Sequence, residues 1–153
     1  MENKGIFQVR VREAEACDLP DLLQLYCQLN NNSAKQLSLE QAENIFLRIG
    51  NYPDYCIYIA EHEGQVVGTF ALMVMESLGH MGIPSAILED VVVSEQYRDL
   101  GVGQQMMSSA TATAQQKGCN KLFFSSGMTR SDAHRFYENL GFKQHGYSYY
   151  LTF

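Results

Sequence analysis

At 153 residues, with 46% apolar and 18% charged side chains, the chain has the length of one domain and enough apolar material for a core. That balance excludes a disordered chain, and no run of eighteen apolar residues occurs, so neither a membrane span nor a membrane partner is expected. The net charge of −6 is uneven: residues 1–97 carry 5 Lys/Arg against 14 Asp/Glu, and residues 98–153 carry 6 against 3. With neither a basic total nor a basic stripe, no nucleic-acid partner is expected. The first twenty residues lack an apolar signal core, and the four cysteines form no CxxC pair, so a reduced, cytoplasmic setting is expected.

IFQVRVR (6–12) alternates like a strand. Asp18 is expected to cap a helix with Leu22, Leu25, Tyr26 and Leu29 at apolar spacing. NNNS (30–33) breaks it, and Ser38 caps a second helix through about Gly50, with Ile45, Phe46 and Ile49 on one side. YCIYIAEHEGQVVGTFALMVME reads as two strands joined at EHEGQ, and the loop SLGHMGIP leads to a strand at 85–93. A helix follows Gly103, with Val102, Met106, Ala110 and Ala114 four residues apart and Gly118 at its end. CNKLFFSS gives a short strand, Ser131 or Asp132 caps a helix to Leu140, and FKQHGYSYYLTF is expected to form a hairpin turning at His145-Gly146. The order β-α-α-β-β-β-α-β-α-β-β has no linker or repeat and predicts a single α/β (α+β) domain over 1–153, a mixed sheet flanked by helices.

The chemistry is concentrated in AILEDVVVSEQYRDLGVGQQMM (86–107). Free N–H groups at a helix start favour anions, and glycine lets backbone approach a phosphate because no Cβ intervenes. Arg98 adds a planar donor fork at the same place. A phosphate-binding Walker loop would need GxxxxGK[ST], and the dinucleotide fingerprint GxGxxG fails at Met106.

What remains, R-x-x-G-x-G after a strand, resembles the acyl-CoA signature [QR]-x-x-G-x-[GA] of the GNAT superfamily of N-acetyltransferases. DAHRFYENLGF, about forty residues on, resembles that superfamily's second motif, A-x-x-F-Y-x-x-x-G-F. Asp99 stands where many members have glycine, and Arg130 where many have asparagine. The resemblance implies a mixed, mostly antiparallel sheet with acetyl-CoA in a wedge between the strands at 85–93 and 120–126. Val91, Val92 and Val93 would pair with the pantetheine arm through their backbone. Arg98, Asp99, Leu100, Gly101, Val102, Gly103 and Gln104 would hold the pyrophosphate, with Arg130 and Tyr137 beside the cofactor.

An amine is mostly protonated at neutral pH, so the chemistry needs a base, an oxygen-stabilising N–H and a proton donor for the leaving thiolate. Glu89 and Asp90 compete for the role of base. Strand alternation puts Glu89 with Val91 and Val93, with Asp90 opposed, and family members often carry an acidic residue at the Glu89 position. Glu89 is therefore preferred as base and Tyr137 as acid. Tyr26, His80, Glu89 and His134 are the residues expected to line the acceptor, and the scattered histidines offer no metal-ligand spacing. The function implied is direct acetyl transfer from acetyl-CoA to a small-molecule primary amine. The alternatives are a non-catalytic acyl-CoA-binding regulator and an enzyme acting on a protein lysine or N-terminus. DAHRFY is similar to aminoalkylphosphonate N-acetyltransferases, whereas the acidic first two thirds of the chain point to a cationic acceptor. Tyr147, Tyr149, Leu151 and Phe153 on one face of the last strand suggest a homodimer.

Overall fold

In the computed structural model, which describes residues 7–29 and 36–153, EHEGQ makes the tight turn its sequence predicts. Glu63 and Gly64 take φ of 47° and 81° between β2 (Tyr55–His62) and β3 (Gln65–Met75). Positive φ at both central residues is the two-residue turn whose twist suits a hairpin. These strands are the middle of a five-stranded sheet ordered β1-β2-β3-β4-β5, with β1 at Arg10–Glu13, β4 at Ser85–Val93 and β5 at Leu122–Phe123. The first three pairings are antiparallel, and β4–β5 is parallel. A parallel neighbour needs a long crossover, here α3 (Val102–Gln116).

The sheet register separates two faces. Ile57, Ile59 and Thr69 point to one side, where Ile59 joins Leu19, Leu22 and Ala42 in a cluster with α1 (Leu19–Leu29) and α2 (Leu39–Ile49). Gly68 points to the other side, where α3 crosses so closely that a Cβ on Gly68 would lie 2.6 Å from Met106 Sδ. The predicted four-residue stripe of α3 is all buried: Val102, Met106, Ala110 and Ala114. Gly118 (φ 77°) ends the helix as expected. Ser38 caps α2 in a full capping box with Gln41.

Asp18 does not cap α1 in the expected way. It lies in a helical turn, Ala16–Asp18, that precedes α1; its carboxylate accepts the Glu15 N–H at 2.7 Å and binds Arg12 through two bonds, at 2.8 and 2.9 Å. Arg12 also reaches Glu61 at 3.0 Å, so a buried carboxylate ties β1, β2 and the start of α1 together. The Gln105 side chain does comparable work for α3: it donates to Phe7 O (2.7 Å) and accepts from Val9 N (3.0 Å). The break at 30–33 lies outside the described residues.

The backbone forms two compact units, 1–123 and 124–153. The second contains α4 (Ser131–Asn139), with Arg130 rather than Ser131 or Asp132 at its N-cap. Within this unit Tyr137 packs against Phe124, Phe136 and Phe142, with ring centroids 4.3, 5.2 and 6.0 Å away. The expected terminal hairpin is absent among the described residues: no strand follows α4, although Gly146 keeps a turn-like φ of 66°. Tyr147, Tyr149, Tyr150, Leu151 and Phe153 are all highly exposed. Of the expected ribbon's apolar side chains only Phe142 is packed, against Phe124 and Tyr137, and a two-stranded ribbon with so little buried has little to hold it.

Candidate active site

The centre of the site is an irregularity in β4. Ala71 pairs with Glu89 and Thr69 with Val92, so Asp90 and Val91 together oppose Phe70. This is a β-bulge, and Asp90 takes φ 53° within it. The extra residue breaks simple alternation. Glu89 shares its face with Val92 rather than with Val91 and Val93, which corrects the period-two reading of this strand. Glu89 and Asp90 are both exposed in the middle of an apolar run.

Pairing with β5 stops at Ile87 and Phe123, so among the described residues β4 has no strand partner on that edge from Leu88 onward. The free edge includes Val91, Val92 and Val93; only the Val92 side chain is fully buried. The chain then runs through a short turn at Glu95–Tyr97 to Arg98, which is extended, and Asp99 at φ 61°. Gly101 at φ 82° caps α3. Left-handed conformations at Asp99 and Gly101 explain why glycine is at home in both positions and why Asp, which tolerates that region, can replace one. The first helical bond runs from Gln105 N to Gly101 O. The N–H groups of Val102, Gly103 and Gln104 are therefore left to point along the helix axis. Arg98 is half-exposed, with Nε donating to Val93 O at 3.4 Å and a guanidinium nitrogen 3.9 Å from Glu95. Leu100 is exposed and Val102 is buried in the core.

On the α1–α2 face of the sheet lies a cavity of about 390 Å³, walled by Leu22, Tyr26, Phe46, Ile49, Tyr55 and Asp90 among others. Solvent reaches both carboxyls, but partial desolvation by the surrounding apolar residues raises Glu89 above its usual range, helped by the neighbouring Asp90 charge, and partial desolvation alone raises Asp90. The Tyr26 hydroxyl is pushed up to about 12, mainly by burial, with hydrogen bonding to Thr69 opposing and Asp90 adding. Tyr55 is raised by burial and then by Asp90 and Glu89. Two carboxylates and two phenols thus share one electrostatic neighbourhood.

Of the expected acceptor residues, Tyr26 lines this cavity, where Asp90 and Tyr55 join it; Glu89 is not among the lining residues and is linked to the group through the charges of Asp90 and Tyr55. Tyr55 was invisible in the sequence because its face is defined only once the helices pack. Asp90 left one signal, an acid inside an apolar strand. His80 ends an exposed turn, Leu78–His80, and does not line the cavity. In the second unit His134 Nε2 lies 2.9 Å from Gly127 O, so it carries the proton and donates to that carbonyl. Arg130 is exposed at the start of α4. The Tyr137 hydroxyl is held above its usual range by burial, with Arg130 opposing.

Residues 19–142 match the family model described as the acetyltransferase (GNAT) family. Glucosamine 6-phosphate N-acetyltransferase of Trypanosoma brucei brucei is 30% identical over 89 residues, which are 58% of this chain and 58% of that protein. Aminoalkylphosphonate N-acetyltransferase of Salmonella typhimurium is 29% identical over 134 residues, covering 88% of this chain and 84% of that one. Among solved structures, a chain of Agrobacterium tumefaciens provisionally described as an acetyltransferase is 31% identical, with a TM-score of 0.88 over 94% of this chain and 99% of that one.

Proposed function

The chain belongs to the acetyltransferase (GNAT) family, and from that premise we propose that it is an N-acetyltransferase carrying acetyl groups from acetyl-CoA to the primary amine of a small molecule by direct attack. The observation that supports this most is the open edge of β4 beyond Ile87, running from the Glu89–Asp90 bulge to the α3 N-terminus. Its residues fit a CoA thioester. The edge offers unpaired strand backbone for an amide-containing arm. The free N–H groups of Val102, Gly103 and Gln104, with Arg98 nearby, suit a pyrophosphate. Acetyl-CoA supplies an activated acetyl thioester and a good leaving group. The names of the two curated relatives each describe an amine as acceptor, which favours a small molecule over a protein.

Within this reading Glu89 is the base, directly or through a water. Its raised carboxyl range brings it closer to the working pH, which improves a carboxylate as proton acceptor from an ammonium. Asp90 and the hydroxyls of Tyr26 and Tyr55 hold the ammonium in place before the proton leaves. In this reading the N–H of Val91 stabilises the developing oxygen charge. Tyr137, whose hydroxyl stays protonated well past neutrality, gives its proton to the departing sulfur. His134, already committed to Gly127 O, is a positioning residue for α4.

Two measurements test this. Titration calorimetry with acetyl-CoA should show binding that Gly103→Val abolishes and Arg98→Ala weakens. Release of free thiol from acetyl-CoA should appear on adding amines and fall roughly 10²–10⁴-fold in Glu89→Gln. Unchanged acetyl-CoA affinity in Gly103→Val would refute the cofactor assignment.

A further inference from the structure

The cavity on the α1–α2 face has a composition of its own. Its wall combines Leu, Ile, Ala and Phe side chains with two tyrosines, Cys27 and Gln36, and the one charged residue among those lining it is Asp90. No Lys, Arg or His is among the described residues that line it. The surrounding helices add no compensating cation: α1 carries Asp21, and α2 carries Glu40, Glu43 and a single Arg48, which is exposed. Among the described residues of the wall, an amine bearing a phosphate or phosphonate would find no cationic partner for its anion, and an unpaired charge entering an apolar site is heavily disfavoured. An ammonium with a hydrocarbon body meets the opposite situation. The carboxylate of Asp90 and the hydroxyls of Tyr26 and Tyr55 receive the charged end, while the apolar wall between α1 and α2 receives the rest. The volume of about 390 Å³ lies at the small end of the ~300–1,000 Å³ range of ligand pockets, enough for a body of one ring or a short branched chain.

We propose that the acceptor is a primary monoamine with an aryl or branched-alkyl body, and not a phosphorylated amine of the kind named for the relatives above. This rests on the acetyltransferase reading of the same site and narrows it to one chemical class.

The experiment is thiol release with 2-phenylethylamine, isopentylamine and ethylamine set against 2-aminoethylphosphonate and glucosamine 6-phosphate, with acetyl-CoA binding followed by calorimetry in parallel. Each methylene matched to an apolar pocket is worth roughly 10-fold or more in selectivity. The kcat/KM for 2-phenylethylamine and isopentylamine should therefore exceed that for ethylamine by at least about tenfold, with the phosphorylated amines lower still. Ile45→Asn places an amide on the apolar wall, and it should lower the 2-phenylethylamine to ethylamine ratio by roughly tenfold. Because a ratio is read, partial loss of folded enzyme cancels. A phosphorylated amine as the best substrate, or a ratio unmoved by Ile45→Asn, overturns the proposal and leaves acetyl transfer standing. Acetyl-CoA binding without turnover of any amine in either set overturns both.

Discussion

Gly68→Ala tests how tightly α3, whose N-terminus carries the proposed pyrophosphate site, is seated on the sheet. The added methyl would lie 2.6 Å from Met106 Sδ and 3.2 Å from the Val92 carbonyl oxygen. Comfortable carbon contacts are about 3.5–4.0 Å, so the sulfur must retreat by roughly 1 Å. The thioether is flexible and can move, but Met106 is fully buried and Val92 O is backbone paired across the β3–β4 ladder. Overpacking of this kind costs about 1–3 kcal/mol. Loss of glycine's freedom in the unfolded chain returns about 0.4–1 kcal/mol, leaving a net loss of about 0.5–2 kcal/mol. For a chain of this length that lowers Tm by about 1–8 °C, measurable by circular dichroism. Met106→Ala alone should cost about 2–5 kcal/mol, and the methyl introduced by Gly68→Ala should then fit the space left behind. The double-variant cycle should therefore show a coupling of at least about 0.5 kcal/mol. A Gly68→Ala penalty identical in both backgrounds would show that Met106 is not what the methyl meets.

Three further outcomes are expected. Tyr137→Phe keeps the ring among Phe124, Phe136 and Phe142 but deletes the hydroxyl, so Tm and acetyl-CoA affinity should hold while kcat falls roughly 10²–10⁴-fold; wild-type turnover with chemistry shown to be rate-limiting would move the acid role elsewhere. Asp90→Asn should raise Tm slightly at pH 7 while lowering kcat/KM for amines, because Asn tolerates the left-handed bulge and the folded state no longer holds a partly desolvated, partly solvent-screened charge. Since folding raises the Asp90 carboxyl, that penalty is absent below the unfolded range and grows as pH rises through the folded one, so the gain in Tm should vanish in acid; a gain that persists there would contradict it. Arg12→Met strands the Asp18 carboxylate, which Arg12 holds below its usual range, and should cost about 2–3 kcal/mol at pH 7 by urea titration, toward the low end for a broken buried pair because Arg12 keeps partial exposure. Asp18 stabilises the fold above its unfolded pKa of about 3.9, so the cost of Arg12→Met should shrink as pH falls below that point, and a pH-independent cost would refute the pairing.

The local features were legible in the sequence wherever short-range physics decides. The Ser38 capping box, the Glu63-Gly64 turn, the Val102–Ala114 stripe and Gly118 depend on hydrogen bonds and φ preferences within a few residues, and each formed as predicted. R-x-x-G-x-G likewise announced a helix N-terminus with free N–H groups, because the glycines state their conformation directly. Alternation failed at Asp90, since a bulge is set by how β3 and β4 register and not by either strand alone. Asp18 followed Arg12 and Glu61, partners from β1 and β2, instead of its own helix end. The terminal hairpin had the right turn residues, but a ribbon needs a surface to bury, and exposure of Tyr147 through Phe153 shows that none is present within its unit. The cavity owes least to local sequence. Tyr26 on α1, Phe46 on α2, Tyr55 on β2 and Asp90 on β4 come from four elements spread over 65 residues of chain. Only their packing on one face of the sheet puts two phenols beside a carboxylate, where burial shifts the ionisation of all three.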